Sequence, residues 1–348
     1  MAEKLLMRGS EAIAEAAIRA GCRAYFGYPI TPQNELPEYM AKNLVSQGGV
    51  FIQSESELAA INMAFGASVA GVRVLTSSSS CGISLKQEGI SYLAGCELPC
   101  VIVNINRGGP GLGNISPAQG DYFQATRGGG HGDYRTIVLA PASVQEMADL
   151  TFTAFDLADF YRNPVVILAD GMLGQIMEPV TFKKKKKLPP KDWALTGAKG
   201  RKARVIKSLI LDAKLMEEHN WKLFRKYERV KRHEVRFEAL DLEKAKLLVV
   251  AYGTMARIAK EAVKRAQEDK MKVGLIRPIT LWPFPTEIIS EAGEEVSHFL
   301  VCEMNTGQMV EDVRLSLEGK SKVSFYGRPG GSIPTPLDIF KVIEKCYE

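Results

Sequence analysis

The sequence predicts an α/β protein: a parallel sheet covered on both faces by helices, followed by a second, smaller α/β domain. Three observations predict it. Short, largely apolar and β-branched runs at 99–105, 164–169 and 247–251 are too brief for helices and read as strands buried on both faces. These runs alternate with helix-patterned stretches, the signature of parallel strands joined by crossover helices. The rhythm breaks once, over 181–240, and then resumes. The 348 residues are enough for two cores, and the break divides them into a first domain 1–182, a connection 183–244 and a second domain 245–348.

In chain order, residues 10–20 form a helix, with Ala12, Ile13, Ala16, Ala17 and Ile18 at helical spacing and Gly21 to end it. A short strand follows at 24–28. Residues 57–69, rich in Ala and small apolar residues, read as a helix. Residues 71–76 read as a strand entering a Ser-rich turn at 77–80. The buried strand 99–105, a helix at 144–155 and the buried strand 164–169 complete the first domain. The connection opens with Lys183 to Lys187 and Pro189-Pro190, then a Gly-containing loop, then a long charged helix-compatible segment at 205–237. In the second domain, strand 247–251 leads through a Tyr252-Gly253-Thr254 turn to a helix at 256–267. Strands at 273–276 and 299–301 and a closing helix at 340–347 follow.

Charged residues are 24% of the chain and the net charge is +5. No apolar run approaches the 18 or so residues a membrane helix needs, and Met1-Ala2-Glu3-Lys4 leads directly into an amphipathic pattern without a signal-peptide core. A cytoplasmic location is expected. The basic residues gather at Lys183 to Lys187, Lys191, Lys199, Arg201, Lys202 and Arg204. No aromatics interleave with them and no nucleic-acid-binding motif accompanies them. A solvated linker, or a face toward an acidic partner, is the better reading. Of six cysteines only Cys96 and Cys100 are close in sequence. Iron–sulfur ligation needs several clustered thiolates, so neither a cluster nor another metal site is expected on this chain.

Several residues are placed for chemistry. Tyr28-Pro29-Ile30-Thr31-Pro32 is a strand end pinned by prolines, with the Thr31 hydroxyl at its tip. Thr31 either offers that hydroxyl to a ligand or caps a helix opened by Pro32; the two roles are compatible. Glu57 puts a carboxylate in the first turn of the apolar helix, yet Ser54-x-x-Glu57 also spells a capping box. Glu55 is the rival carboxylate. Arg107 ends the strand 99–105 and opens Arg107-Gly108-Gly109-Pro110-Gly111-Leu112-Gly113-Asn114. Ligands of α/β folds sit at strand carboxyl ends, so Arg107 suits a carboxylate; the alternative is an exposed loop cation. The loop is neither a Walker loop nor a GxGxxG turn. His131, in the loop 128–134, reads as structural more readily than as a ligand contact. Cys302-Glu303-Met304-Asn305-Thr306-Gly307-Gln308 ends a strand and opens a helix, which suits packing or subunit contact.

Taken in order, Tyr28-Pro29-Ile30-Thr31-Pro32, Glu55-Ser56-Glu57, Gln87-Glu88-Gly89-Ile90-Ser91-Tyr92, Arg107-Gly108-Gly109-Pro110 and Gly327-Arg328-Pro329-Gly330-Gly331 resemble the alpha subunit of multi-subunit 2-oxoacid:ferredoxin oxidoreductases, end to end. Gly111-Leu112-Gly113-Asn114 and the loop 128–134 resemble the 2-oxoisovalerate (3-methyl-2-oxobutanoate, branched-chain) type; the 2-oxoglutarate type is the runner-up. The resemblance implies a pyrimidine-type thiamine diphosphate domain and then a transketolase C-terminal-like domain. It implies that Glu57 is the carboxylate that hydrogen-bonds N1′ of the aminopyrimidine, that Thr31 contacts substrate and that Arg107 binds its carboxylate. Tyr28, Pro29 and Ile30 would line the pyrimidine end of the cofactor.

The same resemblance implies oxidative decarboxylation of a 2-oxoacid to an acyl-CoA and CO2, with electrons passed to ferredoxin. A beta subunit would hold the diphosphate and its Mg2+. A gamma subunit and a ferredoxin-like subunit carrying iron–sulfur clusters would complete the enzyme, and this chain has no convincing Gly-Asp-Gly-type metal motif. Rival readings are another thiamine enzyme of the same superfamily, such as an indolepyruvate-type oxidoreductase or a non-oxidative decarboxylase, and a noncatalytic scaffold subunit. One departure stands out. The family usually has Gly-Pro or Ser-Pro before the glycine where this chain has Ser80-Cys81-Gly82; losing Pro frees φ and restores an N–H, and it puts an oxidisable thiol in the turn.

Overall fold

A computed structural model describes residues 4–183, 188 and 190–348. The first half runs β1 (Leu5–Arg8), α1 (Gly9–Arg19), β2 (Ala24–Gly27), α2 (Glu35–Asn43), β3 (Val50–Gln53), α3 (Glu57–Val69) and β4 (Val74–Ser78). It continues with α4 (Cys81–Gly95), β5 (Cys100–Asn106), α5 (Tyr122–Arg127), β6 (Ile137–Leu139), α6 (Val144–Tyr161), β7 (Pro164–Asp170), α7 (Gly171–Gln175) and β8 (Met177–Val180). The second half runs α8 (Ala213–His233), β9 (Phe237–Leu240), β10 (Leu247–Val250), α9 (Gly253–Glu268), β11 (Val273–Pro278) and β12 (Thr280–Trp282). It ends with α10 (Thr286–Glu295), β13 (His298–Glu303), α11 (Met309–Leu317), β14 (Lys322–Gly327) and α12 (Pro336–Tyr347).

The expected α/β architecture is present. A seven-stranded sheet has the order β12-β6-β7-β5-β4-β2-β3, parallel except for β12. A five-stranded sheet has the order β14-β13-β10-β11-β9, parallel except for β9. In the first sheet β5 and β7 are buried along their whole length, which is why they read as unbroken apolar runs. Helices α1, α2 and α6 share one core on one face of this sheet; α3 and α4 share another with the second sheet's helix-covered face.

Strand order reverses beside β2, which lies between β3 and β4. The chain leaves β2 for one edge and returns past it to β4, opening a crevice at the carboxyl ends of these strands. Residues 28–31, 54–57 and 79–82 all lie there.

Some expectations need correction. The segment 205–237 is not one helix: α8 begins at Ala213 because Asp212 caps it, accepting from the amides of Lys214 and Leu215 at 2.9 and 3.0 Å. Residues 205–212 lack regular structure, and Phe237 opens β9. Gly253 and Thr254 begin α9 rather than a turn, and Ser77 and Ser78 extend β4. Helix α4 carried no clear sequence pattern because Gly82, Gly89 and Gly95 interrupt it. Gly89 allows the close approach of α3, since a Cβ there would stand 2.6 Å from Ile61. Of the basic run, Lys183 pairs with Asp149 at 3.3 Å; Lys184 to Lys187 lie outside the described residues. No helix among the described residues is long and apolar enough to cross a membrane.

Candidate active site

Glu57 sits at the first position of α3, directly behind β3. Ser56 is the cap, its hydroxyl accepting from the Ala59 amide at 3.2 Å. The Ser54–Glu57 capping box is therefore not formed. Ser54 donates to the Gly27 and Ser56 carbonyls instead, at 3.1 and 3.0 Å. Freed from capping, Glu57 is 5% exposed, and its Oε1 accepts from the Ser78 hydroxyl at 3.1 Å. That is its single hydrogen-bond donor among the described residues, so most of the carboxylate's acceptor capacity is left open. Glu55, two residues earlier, is exposed.

Gly82, in the first turn of α4, closes over this pair: a Cβ there would overlap both Ser78 Oγ and Glu57 Oε1. One turn on, Lys86 is wholly buried and its Nζ donates to Thr76 Oγ1 at 2.8 Å. Thr76 passes a 2.7 Å hydrogen bond to the Phe26 carbonyl. Burial lowers the Lys86 pKa to about 8, against the opposing pull of Glu57 and Cys100.

The turn between β4 and α4 is strained. Ser80 has φ 28, a region costing a non-glycine residue on the order of 1–3 kcal/mol. It is pinned by hydrogen bonds from its amide to Asn104 Oδ1 (3.0 Å), from its hydroxyl to Asp121 Oδ2 (2.7 Å), and from the Arg107 amide to its hydroxyl (3.0 Å). Asn104 also donates to Asp121, at 2.8 Å. Burial raises the Asp121 pKa, opposed by these hydrogen bonds.

Arg107 ends β5 and is 6% exposed; it is not an exposed loop cation. Its Nη1 donates to the Thr31 carbonyl at 3.0 Å, and its Nη2 reaches the Leu112 carbonyl at 2.9 Å and Cys81 Sγ at 3.1 Å. Its Nε is buried without a partner. Arg107 thus ties Thr31 to the strained turn. Thr31 itself is exposed and is not a helix cap, because α2 begins at Glu35 after Asn34. Tyr28 and Pro29 are exposed beside it, and Ile30 is half-buried.

The arrangement brings Glu57, Thr31 and Arg107 to the same sheet end, with Glu57 on Gly82 and Arg107 on Cys81 of one helix start. It also brings together two motifs far apart in sequence. Asn114 of the Arg107 loop donates to the Gly330 carbonyl at 2.9 Å, and Gly331 abuts Ser116. His131 is not part of this group. It is exposed and lines a separate cavity of about 370 Å3 with Ser91, Tyr92 and His219. In the second domain Glu303 has a packing role: its buried carboxylate accepts from the Met309 and Val310 amides at 2.8 and 3.0 Å and so caps α11.

Sequence reasoning missed Ser78, Asn104, Asp121 and Lys86. Asn104 and Asn106 inside an apolar strand were an available signal. Lys86, in Leu85-Lys86-Gln87, looks like an ordinary surface lysine. Around the site, Tyr28, Ile52, Leu58, Met63, Leu85, Leu112 and Ile115 are all exposed. Helix α3 is apolar on every side, the character of a helix meant to be covered. Among the described residues no group of three or more His, Cys, Asp or Glu side chains could hold a metal ion.

Comparison with known proteins agrees along the chain. Residues 15–236 match the family described as pyruvate flavodoxin/ferredoxin oxidoreductase, thiamine diP-binding, and residues 245–339 match pyruvate:ferredoxin oxidoreductase core domain II. The chain is 49% identical to ketoisovalerate oxidoreductase subunit VorB of Methanothermobacter marburgensis, covering 98% of this chain and 97% of that protein. It is 37% identical to 2-oxoglutarate synthase subunit KorA of Methanothermobacter thermautotrophicus, covering 99% of both. Among solved structures it is similar to 2-oxoglutarate:ferredoxin oxidoreductase from Magnetococcus marinus (TM-score 0.92, 27% identity), covering 100% of this chain and 66% of that longer one. A split-gene transketolase (TM-score 0.57, 13% identity, 97% of this chain and 96% of that one) shares the fold. The chain belongs to the 2-oxoacid:ferredoxin oxidoreductase family.

Proposed function

We propose that this chain is the alpha subunit of a branched-chain 2-oxoacid:ferredoxin oxidoreductase, converting 2-oxoisovalerate, CoA and oxidised ferredoxin to acyl-CoA, CO2 and reduced ferredoxin. The observation that carries the reading is the buried Glu57 carboxylate, held by Ser78 at the sheet's switch point, with Arg107 and Thr31 beside it. The 49% identity to a ketoisovalerate subunit over nearly the full length supports the branched-chain substrate over 2-oxoglutarate.

The residues fit the pyrimidine end of thiamine diphosphate. Glu57 offers a buried carboxylate with open acceptor capacity, the form needed to bind a ring nitrogen and share its proton. Gly82, lacking a side chain, leaves that carboxylate room. When bound, the cofactor supplies the carbanion chemistry that decarboxylation requires. Arg107 orients the acid: three of its donor contacts hold the loop and the Thr31 turn, and the unpartnered Nε is left for a carboxylate. The Thr31 hydroxyl serves the substrate from the exposed side, and Tyr28, Pro29 and Ile30 line the cofactor.

The exposed apolar rim and the open face of α3 are where a beta subunit carrying the diphosphate and Mg2+ docks. A gamma subunit and a ferredoxin-like subunit with iron–sulfur clusters complete the complex, in the cytoplasm. The division at 182 and 244 follows the family matches to 15–236 and 245–339 only loosely. β9, within the connection, pairs with the second sheet, and β12, from the second domain, edges the first.

The test is CoA-dependent viologen reduction by the co-expressed complex with 2-oxoisovalerate, 2-oxoglutarate, indolepyruvate and pyruvate. A preference for 2-oxoisovalerate that disappears in Glu57→Gln is expected. Preference for 2-oxoglutarate or indolepyruvate overturns the substrate assignment, and full activity of Glu57→Gln leaves a scaffold role. Against a substrate differing by one methylene, discrimination of about 10–200-fold is expected.

A further inference from the structure

The loop that follows β5 has four glycines in six residues, Gly108, Gly109, Gly111 and Gly113, so its own backbone does little to fix a shape. Contacts must supply the shape, and they centre on Asn114. The loop's ends are closed by the Arg107–Pro117 bridge and by the Gly108 amide, which donates to the Ser116 carbonyl at 2.9 Å. The Asn114 amide donates to the Gly108 carbonyl at 2.9 Å, and Asn114 Oδ1 accepts from the Ser116 amide at 2.9 Å. Arg107 is bound into the same loop through the Leu112 carbonyl, which accepts from its Nη2.

The other half of the Asn114 carboxamide faces away from the loop. Its Nδ2 donates at 2.9 Å to the carbonyl of Gly330, 216 residues on, in the segment that follows β14 of the second sheet. Beside it Gly331, at φ 91, packs so closely that a Cβ would stand 2.4 Å from Ser116 Cβ and 3.0 Å from Asn114 Oδ1. Residues 109–115 are exposed, and among the described residues this is the one hydrogen bond from the loop to the second unit. The two units do not need it to stay together. Gln119, which is buried, already joins them through Met304, Tyr252 and Asn305. An exposed hydrogen bond adds little stability; what this one sets is where the loop sits.

We propose that Asn114 is a positioning residue for the 2-oxoacid, acting through Arg107: it fastens the Arg107 loop to the 328–332 segment and so makes the second unit part of the substrate site. This rests on the reading of Arg107 as the residue that binds the substrate carboxylate. A guanidinium serves a carboxylate only when its planar fork is correctly turned. One of the groups that turns it is the Leu112 carbonyl, which moves with the loop. Releasing the loop from Gly330 therefore weakens binding of the acid without touching the chemistry that follows.

The experiment uses the assembled complex, with steady-state kinetics in 2-oxoisovalerate and in CoA and amide exchange over residues 108–116. Asn114→Ser keeps a hydroxyl that can accept from the amide two residues on but is too short to reach Gly330. Gly331→Ala breaks the same contact from the opposite side and leaves the loop's own sequence intact. Both are expected to raise the KM for 2-oxoisovalerate about 3–10-fold, the range of one neutral hydrogen bond. Exchange at 108–116 should quicken, while kcat and the KM for CoA stay unchanged. In an Arg107→Lys background neither variant adds to the KM, because both act through Arg107. A wild-type KM in Asn114→Ser overturns the proposal, as does an equal rise in the KM for CoA, which marks a general loosening. A raised KM with unchanged exchange also overturns it, because Asn114 would then touch the substrate itself, and so does a rise that persists in full beside Arg107→Lys. If Gly331→Ala fails to assemble, Asn114→Ser carries the test alone. A wild-type KM in Arg107→Lys by itself overturns the assignment of Arg107, a different result from any of these.

Discussion

Glu57 and Glu55 are two residues apart and chemically alike, and burial separates them. Glu57 faces Ser78 in a nearly closed setting, while Glu55 faces solvent. Glu57→Gln in the assembled enzyme is expected to lower turnover by roughly 10²–10⁴-fold, the range for loss of a proton-transfer partner; Glu55→Gln is expected to leave it unchanged, and steady-state kinetics of both variants decides. Arg107 differs because its guanidinium serves three protein groups at once. Lysine is a point charge and cannot span Thr31, Leu112 and Cys81. Arg107→Lys should raise the KM for the 2-oxoacid by about 10–100-fold, the equivalent of one lost charge-assisted hydrogen bond. An unchanged KM would confine Arg107 to shaping its loop. Both residues were visible in the sequence through their motifs; their burial and partners were not.

At the scale of elements, the start of α4 and the docking of α8 carry the predictions. Gly82→Ala would drive a methyl group into Ser78 and Glu57, an overpacking worth about 1–3 kcal/mol. Urea denaturation should show that loss, together with weaker thiamine diphosphate binding by the complex. Helix α8 is held at Glu97, which pairs with Lys222 and with Lys226 at 3.6 Å. Burial pushes the Glu97 carboxyl up, but these lysines and Arg162 outweigh it and leave it below the usual range. A depressed carboxylate stabilises the fold above its unfolded pKa, and that contribution is lost as pH falls through the folded value. Wild-type stability should therefore decline on acidification below about pH 4 with a component that Glu97→Gln lacks, as read by Trp221 fluorescence. The capping Asp212 was present in the sequence, yet the apolar and charged residues 205–212 disguised it by continuing a helix-like pattern.

For the whole molecule, Gln119 is the joint between the two sheets. Its side chain accepts from the Met304 amide at 2.9 Å and donates to the Tyr252 carbonyl at 2.9 Å, while its own carbonyl accepts from Asn305 at 2.9 Å. Gln119→Ala leaves the buried Met304 amide without a partner, at about 1–3 kcal/mol, while the Tyr252 carbonyl keeps the Ala256 amide at 3.1 Å. Thermal denaturation should show the loss, and exchange protection should fall first at the β13–α11 turn. The sheets are also interlocked by chain path. β12 leaves the second unit to pair with β6, and β9 pairs with β11 from the connection side. Neither crossing was legible in the sequence, because a three- or four-residue strand has too little pattern to announce its partner.

The sequence by itself determined the elements whose patterns are local: the buried strands β5 and β7, the helices α1, α3 and α9, and the ordered motifs that name Glu57, Thr31 and Arg107. Period and composition suffice there, since each residue's environment repeats along its own segment. Only the tertiary structure decided which carboxylate is buried, that Ser56 and not Ser54 caps α3, and that Arg107 clasps Thr31 to the Ser80 turn. It alone showed that Lys86 is wholly buried and donates to Thr76, one turn along α4 from the Gly82 that touches Glu57. Those facts depend on contacts between strands and helices tens of residues apart, and burial, charge coupling and hydrogen-bond geometry exist only once the chain has brought them together.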